Sequence, residues 1–140
     1  MSTAGFLYKT RVYYEDTDAG GVVFYANYLK FMERARTEWL RELGFEQDQL
    51  MQDSGAVFAV MHVHMDFLKP AKFNNLLDVS VQLLKIGKAS IMVHQEIYRE
   101  SELLNRADIK LACVDMNTFA PMRIPESIYK KAKDLVANPN

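Results

Sequence analysis

Tyr13-Tyr14-Glu15-Asp16-Thr17-Asp18-Ala19-Gly20-Gly21-Val22-Val23-Phe24-Tyr25-Ala26-Asn27-Tyr28 is the stretch around which this chain is organised. It crowds three carboxylates and two glycines into a turn, then runs directly into the longest amphipathic helical pattern in the sequence. A strand delivers the acids, the glycines permit a tight or left-handed backbone, and a helix N-terminus follows within a few residues. That order sets a carboxylate beside free backbone N–H groups. Such a pairing suits acyl chemistry.

Upstream, residues 7–14 read as a strand with Tyr8, Thr10, Val12 and Tyr14 on one side. Downstream, residues 25–43 read as a helix. Tyr28, Met32, Ala35, Trp39 and Leu43 recur at three- and four-residue steps, and Leu29 and Leu40 widen the apolar face. Lys30, Glu33, Arg34, Thr37, Glu38 and Arg41 fill the opposite side, where surface ion pairs are expected. Gly44 is the stop signal.

A short helix is expected over residues 47–52. The period then changes to two: Val57, Ala59, Met61, Val63, Met65 and Phe67 alternate with Phe58, Val60, His62, His64 and Asp66. Further strands are expected at residues 76–86, 90–100 and 104–117, with turns at Gly87-Lys88 and at residues 99–102. Pro125 opens a last helix to about Val136, and Asn138-Pro139-Asn140 are expected to fray. Strand, long helix, short helix, four strands and helix together predict an α+β fold with an antiparallel sheet. Val79, Val81 and Leu83 against Leu84 and Ile86, with Ile91 and Val93 against Met92, read as strands apolar on both faces. One cover would be the helix and the other a partner subunit, which predicts an obligate oligomer.

The chain of 140 residues is expected to form one domain, and 49% hydrophobic with 25% charged residues is a globular composition. A net charge of -1 argues against nucleic acid or any general polyanion as partner, so a phosphate site must be a local cluster of cations. The single Cys113 excludes an internal disulfide and fits a reducing compartment. Met1-Ser2-Thr3-Ala4-Gly5 has neither a basic stretch nor a long apolar run, and no segment approaches the ~20 apolar residues of a membrane span. No secretory signal is expected, and the location is expected to be cytoplasmic.

Tyr14-Glu15-Asp16-Thr17-Asp18-Ala19-Gly20-Gly21-Val22-Val23, followed by Asn27-Tyr28-Leu29 and Phe31-Met32-Glu33-Arg34-Ala35-Arg36, resembles the hotdog-fold acyl-CoA thioesterases. The similarity takes in Phe67-Leu68-Lys69-Pro70-Ala71 and Arg123-Ile124-Pro125, so it covers nearly the whole chain. Within that family the pattern is similar to the Tol-Pal-associated, YbgC-type thioesterases, relatives of the 4-hydroxybenzoyl-CoA thioesterases. The resemblance implies a sheet curled around the long helix, two protomers sharing a continuous sheet, and often a dimer of dimers, a homotetramer. It places the catalytic carboxylate on Asp18 and the carbonyl-polarising backbone N–H near Tyr25. The YbgC-type proteins carry His where this chain has Tyr25, whereas the 4-hydroxybenzoyl-CoA branch carries Tyr.

Asp18 would attack the thioester directly, giving a mixed anhydride, or act as general base towards water. Phe24 and Tyr25 supply no side-chain N-cap, which leaves helix-start N–H groups for a ligand. Tyr25 would hydrogen-bond substrate or position Asp18. Gly21, Val22 and Asn27 are placed as substrate-binding neighbours, with Asn27 also bracing the acidic loop. For the phosphates of CoA, Lys85 and Lys88 around Gly87 are preferred over Lys69 and Lys72 around Pro70. His62, His64 and Asp66 share a strand face without an evident further ligand, so a polar sheet face is preferred to a metal site. There is no Gly-x-Ser-x-Gly elbow.

Hydrolysis of a short-chain or aromatic acyl-CoA, with no cofactor, is therefore the expected activity. The rivals are a weakly catalytic hotdog protein docking to acyl carrier protein or an envelope-maintenance complex, and a hydratase, which would need an Asp/His pair.

Overall fold

The structure, a computed structural model, describes residues 5–137. The readings made on Met1 to Ala4 and on Asn138-Pro139-Asn140 lie outside the described residues. Strand β1 (Phe6–Arg11) is followed by a 3-10 turn at Tyr14–Asp16 and helix α1 (Asn27–Glu42). Then come α2 (Gln47–Ser54), β2 (Ala56–Phe67), β3 (Leu76–Ile86), β4 (Ser90–Arg99), β5 (Glu102–Asp115) and α3 (Glu126–Ala137). The strands form one antiparallel sheet in the order β1-β3-β4-β5-β2. This is the α+β order expected from the sequence.

α1 buries Tyr28, Phe31, Met32, Ala35, Trp39 and Leu40 against the sheet. Phe31 and Met32 are wholly enclosed, and full burial of such side chains stabilises by about 1.5–3 kcal/mol each. Leu29 was placed on this face by spacing but is 41% exposed, and Phe31 takes the inward position. Gln95 on β4 fastens helix to sheet, its Nε2 donating to the Met32 carbonyl at 3.1 Å. The helix stops at Gly44, whose φ of 100° is left-handed. Two of the boundaries that move flank the acid loop: β1 ends at Arg11 because the chain tightens into the 3-10 turn, and α1 begins at Asn27 rather than Tyr25.

The two-sided apolar pattern has a different cause from the one inferred. The β3–β4 register shifts between Leu83 and Lys85, so Leu83 and Ile86 both reach the core while Leu84 is turned out, 43% exposed. A second shift between Val60 and His62 divides β2. Before it Phe58 packs on the core; after it Val63 and Met65 do. The strict alternation read along β2 therefore breaks at Met61.

The sheet face away from α1 is polar, carrying Ser80, Gln82, His94, Glu96, Arg106 and Asp108. It is not the second apolar face that was expected to need a partner's cover.

Candidate active site

The acidic turn is held from three sides. Asp16, buried, accepts the Tyr13 backbone N–H at its Oδ2 (2.8 Å) and closes the 3-10 turn. Its own carbonyl accepts both the Phe24 N–H and the side-chain amide of Asn27, each at 2.9 Å. That one oxygen ties the acid loop to the start of α1. Val23 then bonds to the Ala71 carbonyl (2.9 Å), and the Ala71 N–H donates to the Tyr28 hydroxyl (3.0 Å). Burial, the larger influence, raises the Tyr28 hydroxyl above its ordinary pKa, so it stays protonated.

Between these ties, Asp18 to Val22 form a narrow loop. The Asp18 N–H donates to Val22, and Gly21 donates back to the Asp18 carbonyl (3.0 Å). Gly21 takes a φ of 83°, which costs an L side chain roughly 1–2 kcal/mol. The Asp18 carboxylate is exposed, and its Oδ1 accepts the Gly20 N–H at 2.8 Å. Its Oδ2 has no partner among the described residues. A carboxylate fixed at one oxygen and open at the other can still accept a bond from a group outside the loop.

No side chain caps α1. Its first three N–H groups are nonetheless taken: Asn27, Tyr28 and Leu29 donate to the carbonyls of Phe24, Tyr25 and Ala26. The N–H groups without an acceptor among the described residues are those of Tyr25 and Ala26, in the turn just before the helix. Free donors were expected here, and they belong to this turn. The Tyr25 side chain is 65% exposed, tilted against Phe24 at 4.9 Å and edge-on to Phe67 at 6.3 Å between ring centroids.

The structure thus gathers Asp18, Gly21, Val22, Tyr25 and Asn27 into one loop and turn. Lys85 and Lys88 lie elsewhere. Arg11, from which the acid loop departs, pairs with Leu76 at the opposite end of β3, roughly 30 Å along the strand from Lys85. The cation beside the loop is Lys72, which bridges Val22 through the backbone and whose ammonium has no partner among the described residues. Lys69 is occupied by Glu102 at 2.6 Å.

Asp16, read from the sequence as structural, is that: three residues after Tyr13, its carboxylate accepts the Tyr13 N–H in a capping-box bond that closes the turn. His62, His64 and His94 all stand on the polar outer face, away from Asp18. Among the described residues no group of three His, Cys, Asp or Glu is arranged to hold a metal ion. Glu38 pairs with Arg41 on the helix surface. A cavity of about 80 Å³ lined by Glu33, Arg36, Trp39 and Gln47 lies towards the other end of α1 and includes none of Asp18, Gly21, Val22, Tyr25 or Asn27.

Known proteins resemble this chain over most of its length. Residues 20–105 match the Thioesterase superfamily (4HBT). The chain is 42% identical to the acyl-CoA thioesterase YbgC of Haemophilus influenzae over 91% of this chain and 94% of that one. It is 40% identical to the acyl-CoA thioester hydrolase YbgC of Escherichia coli, over 95% and 99%. A probable thioesterase from Bartonella henselae superposes with a TM-score of 0.82 at 33% identity, covering 86% of this chain and 99% of that one. A thioesterase from Staphylococcus aureus, 23% identical, shares the fold with a TM-score of 0.87 over 96% and 91%. With the antiparallel sheet that packs on α1, these likenesses show that the chain belongs to the hotdog-fold thioesterase superfamily, with the YbgC acyl-CoA thioesterases.

Proposed function

We propose that this protein hydrolyses the thioester of a short-chain or aromatic acyl-CoA, with Asp18 as the catalytic carboxylate and the turn before α1 as the oxyanion site. The observation that carries this is the pairing of an open Asp18 Oδ2 with unclaimed N–H groups at Tyr25 and Ala26. As the thioester carbonyl is attacked, negative charge develops on its oxygen. Fixed backbone donors stabilise that charge, and one such donor is typically worth ~2.7–4 kcal/mol of barrier. Asp18 Oδ2 either attacks the carbonyl carbon, forming a mixed anhydride that water then opens, or takes the proton of a water that attacks in its place. By both routes the C–S bond breaks, the thiolate of CoA is protonated, and the free acid leaves.

Gly21 and Val22 line the approach to Asp18, while Asn27, buried beneath them, supports the loop. Lys72 is positioned to meet a CoA phosphate. Lys85 and Lys88 can do so only from a second copy. Pairing of two copies is supported by β2, a twelve-residue edge strand whose outer side has no strand partner among the described residues. Among the described residues no helix is long and apolar enough to cross a membrane. Cys113 is a buried free thiol, which supports a reducing, cytoplasmic setting.

The test is thiol release from a panel of short, long and aromatic acyl-CoAs by wild type and Asp18→Asn. Asn preserves the acceptor for Gly20, so the loop stays formed while activity falls at least a hundredfold. Full activity in Asp18→Asn would sink the assignment. No thiol from any substrate with wild type would favour the docking role towards acyl carrier protein or an envelope complex.

A further inference from the structure

Residues 70–75 form the support against which the acid loop lies. Val23 bonds to the Ala71 carbonyl and Val22 bridges Lys72. Val12, where β1 gives way to the loop, donates to the Asn75 carbonyl and accepts from the Asn74 N–H, each at 2.9 Å. The segment belongs to no helix or strand, so its course depends on the bonds it makes with its neighbours.

One side chain grips both ends of that segment. Arg99, the last residue of β4, donates from Nη1 to the Pro70 carbonyl (3.3 Å) and to Asn75 Oδ1 (3.0 Å), and from Nη2 to Glu102 Oε1 (2.6 Å). Asn75 Oδ1 also accepts the Lys72 N–H at 2.8 Å. Hydrogen bonds from Lys69 and Arg99 push the Glu102 pKa down to about 2, so the carboxylate that anchors Arg99 is ionised across the neutral range. Arg99 stands opposite the wholly buried Leu77 and shares its face, the one that carries α1. Its charge reaches the Tyr28 hydroxyl, which accepts the Ala71 N–H. From Arg99 the path runs through Asn75 to Lys72 and on to Val22, whose carbonyl accepts the Asp18 N–H at 2.9 Å.

We propose that Arg99 is a positioning residue for the reaction, setting the Asp18 loop against the Tyr25 and Ala26 N–H groups through residues 70–75. This rests on the thioesterase reading above and adds a residue that acts on Asp18 without touching it. The guanidinium suits the task because its planar fork presents several N–H groups at fixed angles, and it spans Pro70, Asn75 and Glu102 at once. A lysine ammonium carries the same charge without the fork. Displacing a catalytic group by about an ångström costs on the order of a hundredfold in rate, so a loosened clamp is read first in kcat.

The experiment compares wild type, Arg99→Gln, Arg99→Lys and Asp18→Asn in kcat and KM on the acyl-CoA that wild type cleaves best, with thermal melts and backbone hydrogen exchange of each. Arg99→Gln and Arg99→Lys are both expected to lose about tenfold or more in kcat while KM rises less than about threefold. The Asp18, Gly21 and Val23 amides should exchange faster, while those in the middle of α1 and β4 keep their protection. Should Arg99→Gln fail to fold, Arg99→Lys reads the same quantities.

Wild-type kcat in either folded variant overturns the proposal; in Arg99→Lys it would mean that the charge near Tyr28 suffices. So does faster exchange spread evenly over the chain, with kcat falling only as the folded fraction falls, the mark of a merely structural arginine. An active wild type and an inactive Asp18→Asn, with the Arg99 variants unimpaired, sink this inference alone. Wild type that cleaves no acyl-CoA sinks the thioesterase reading with it.

Discussion

The side-chain amide of Asn27 donates to the backbone carbonyl of Asp16 at 2.9 Å, so the first residue of α1 holds the acid loop that precedes it by eleven positions. The bond is buried, and it fixes the loop carrying Asp18 relative to the N–H groups of Tyr25 and Ala26. Asn27→Leu is expected to cost about 1–3 kcal/mol of stability. Its larger effect should be on catalysis, because misplacing a catalytic group by an ångström costs on the order of a hundredfold in rate. Steady-state kinetics with a urea melt check this: kcat should fall far more than KM rises in a variant that remains folded.

The two loop glycines predict separable effects. A Cβ on Gly20 would lie 3.3 Å from Asp18 Oδ1, tighter than ordinary contact, at an unremarkable φ. Gly20→Ala should therefore push the carboxylate and lower kcat with little loss of stability. Gly21 has open space around it but a φ of 83°. Gly21→Ala should lose roughly 1–2 kcal/mol of stability, and Gly21→Asn less, because Asn tolerates the left-handed region. Equal kinetic and stability losses in the two alanine variants would contradict this division.

Much of this site was legible because its signals are local. The acids, the glycines and the uncapped helix start lie within sixteen consecutive residues, and periodicity alone gave the helix and every strand. What periodicity could not show were the shifts at Leu84 and Met61. A bulge inserts one residue and exchanges the faces beyond it, so β3 imitates a strand buried on both sides. Lys85 and Lys88 were preferred over Lys69 and Lys72 because the resembled family carries basic residues at that hairpin, and spacing alone does not say which strand end faces the acid loop. Only the pairing of Arg11 with Leu76 shows which end the acid loop occupies.

The outer side of β2 gives a test of assembly. Val60 and Met61 are 50% and 63% exposed on an edge strand without a neighbour on that side. If two copies pair there, Val60→Lys with Met61→Lys places charges in the interface, each costing several kcal/mol unless paired. Sedimentation should find wild type as a dimer or larger and the double variant as a folded monomer. If wild type sediments as a monomer, pairing along β2 is wrong.

His94 gives the outer face a pH dependence. Its Nδ1 and Nε2 each lie 2.8 Å from a carboxylate, those of Asp108 and Glu96, and Glu96 also accepts the Tyr98 hydroxyl. Burial pulls the His94 pKa down, but the hydrogen bonds and charges of Glu96 and Asp108 outweigh it and hold the value above the ordinary one. His64 on β2 and Arg106 and Lys110 on β5 share this face, and Arg106 helps hold the Glu96 carboxyl low. An imidazolium favoured in the folded state contributes fully below its unfolded value of about 6.5, and that contribution fades as pH rises through the folded value. For Glu96, burial pushes the pKa up, but the bonds from Tyr98 and His94 prevail and hold it low, so its contribution is lost only in acid. From above the ordinary Glu value of about 4.3 up to the folded value of His94, both charges are in place. Wild type should exceed His94→Gln by about 1–3 kcal/mol at pH 6, and the gap should close as pH rises to 9. Urea denaturation of both proteins across that range measures it, and a gap that stays constant or widens with pH would mean the imidazole is neutral in the fold.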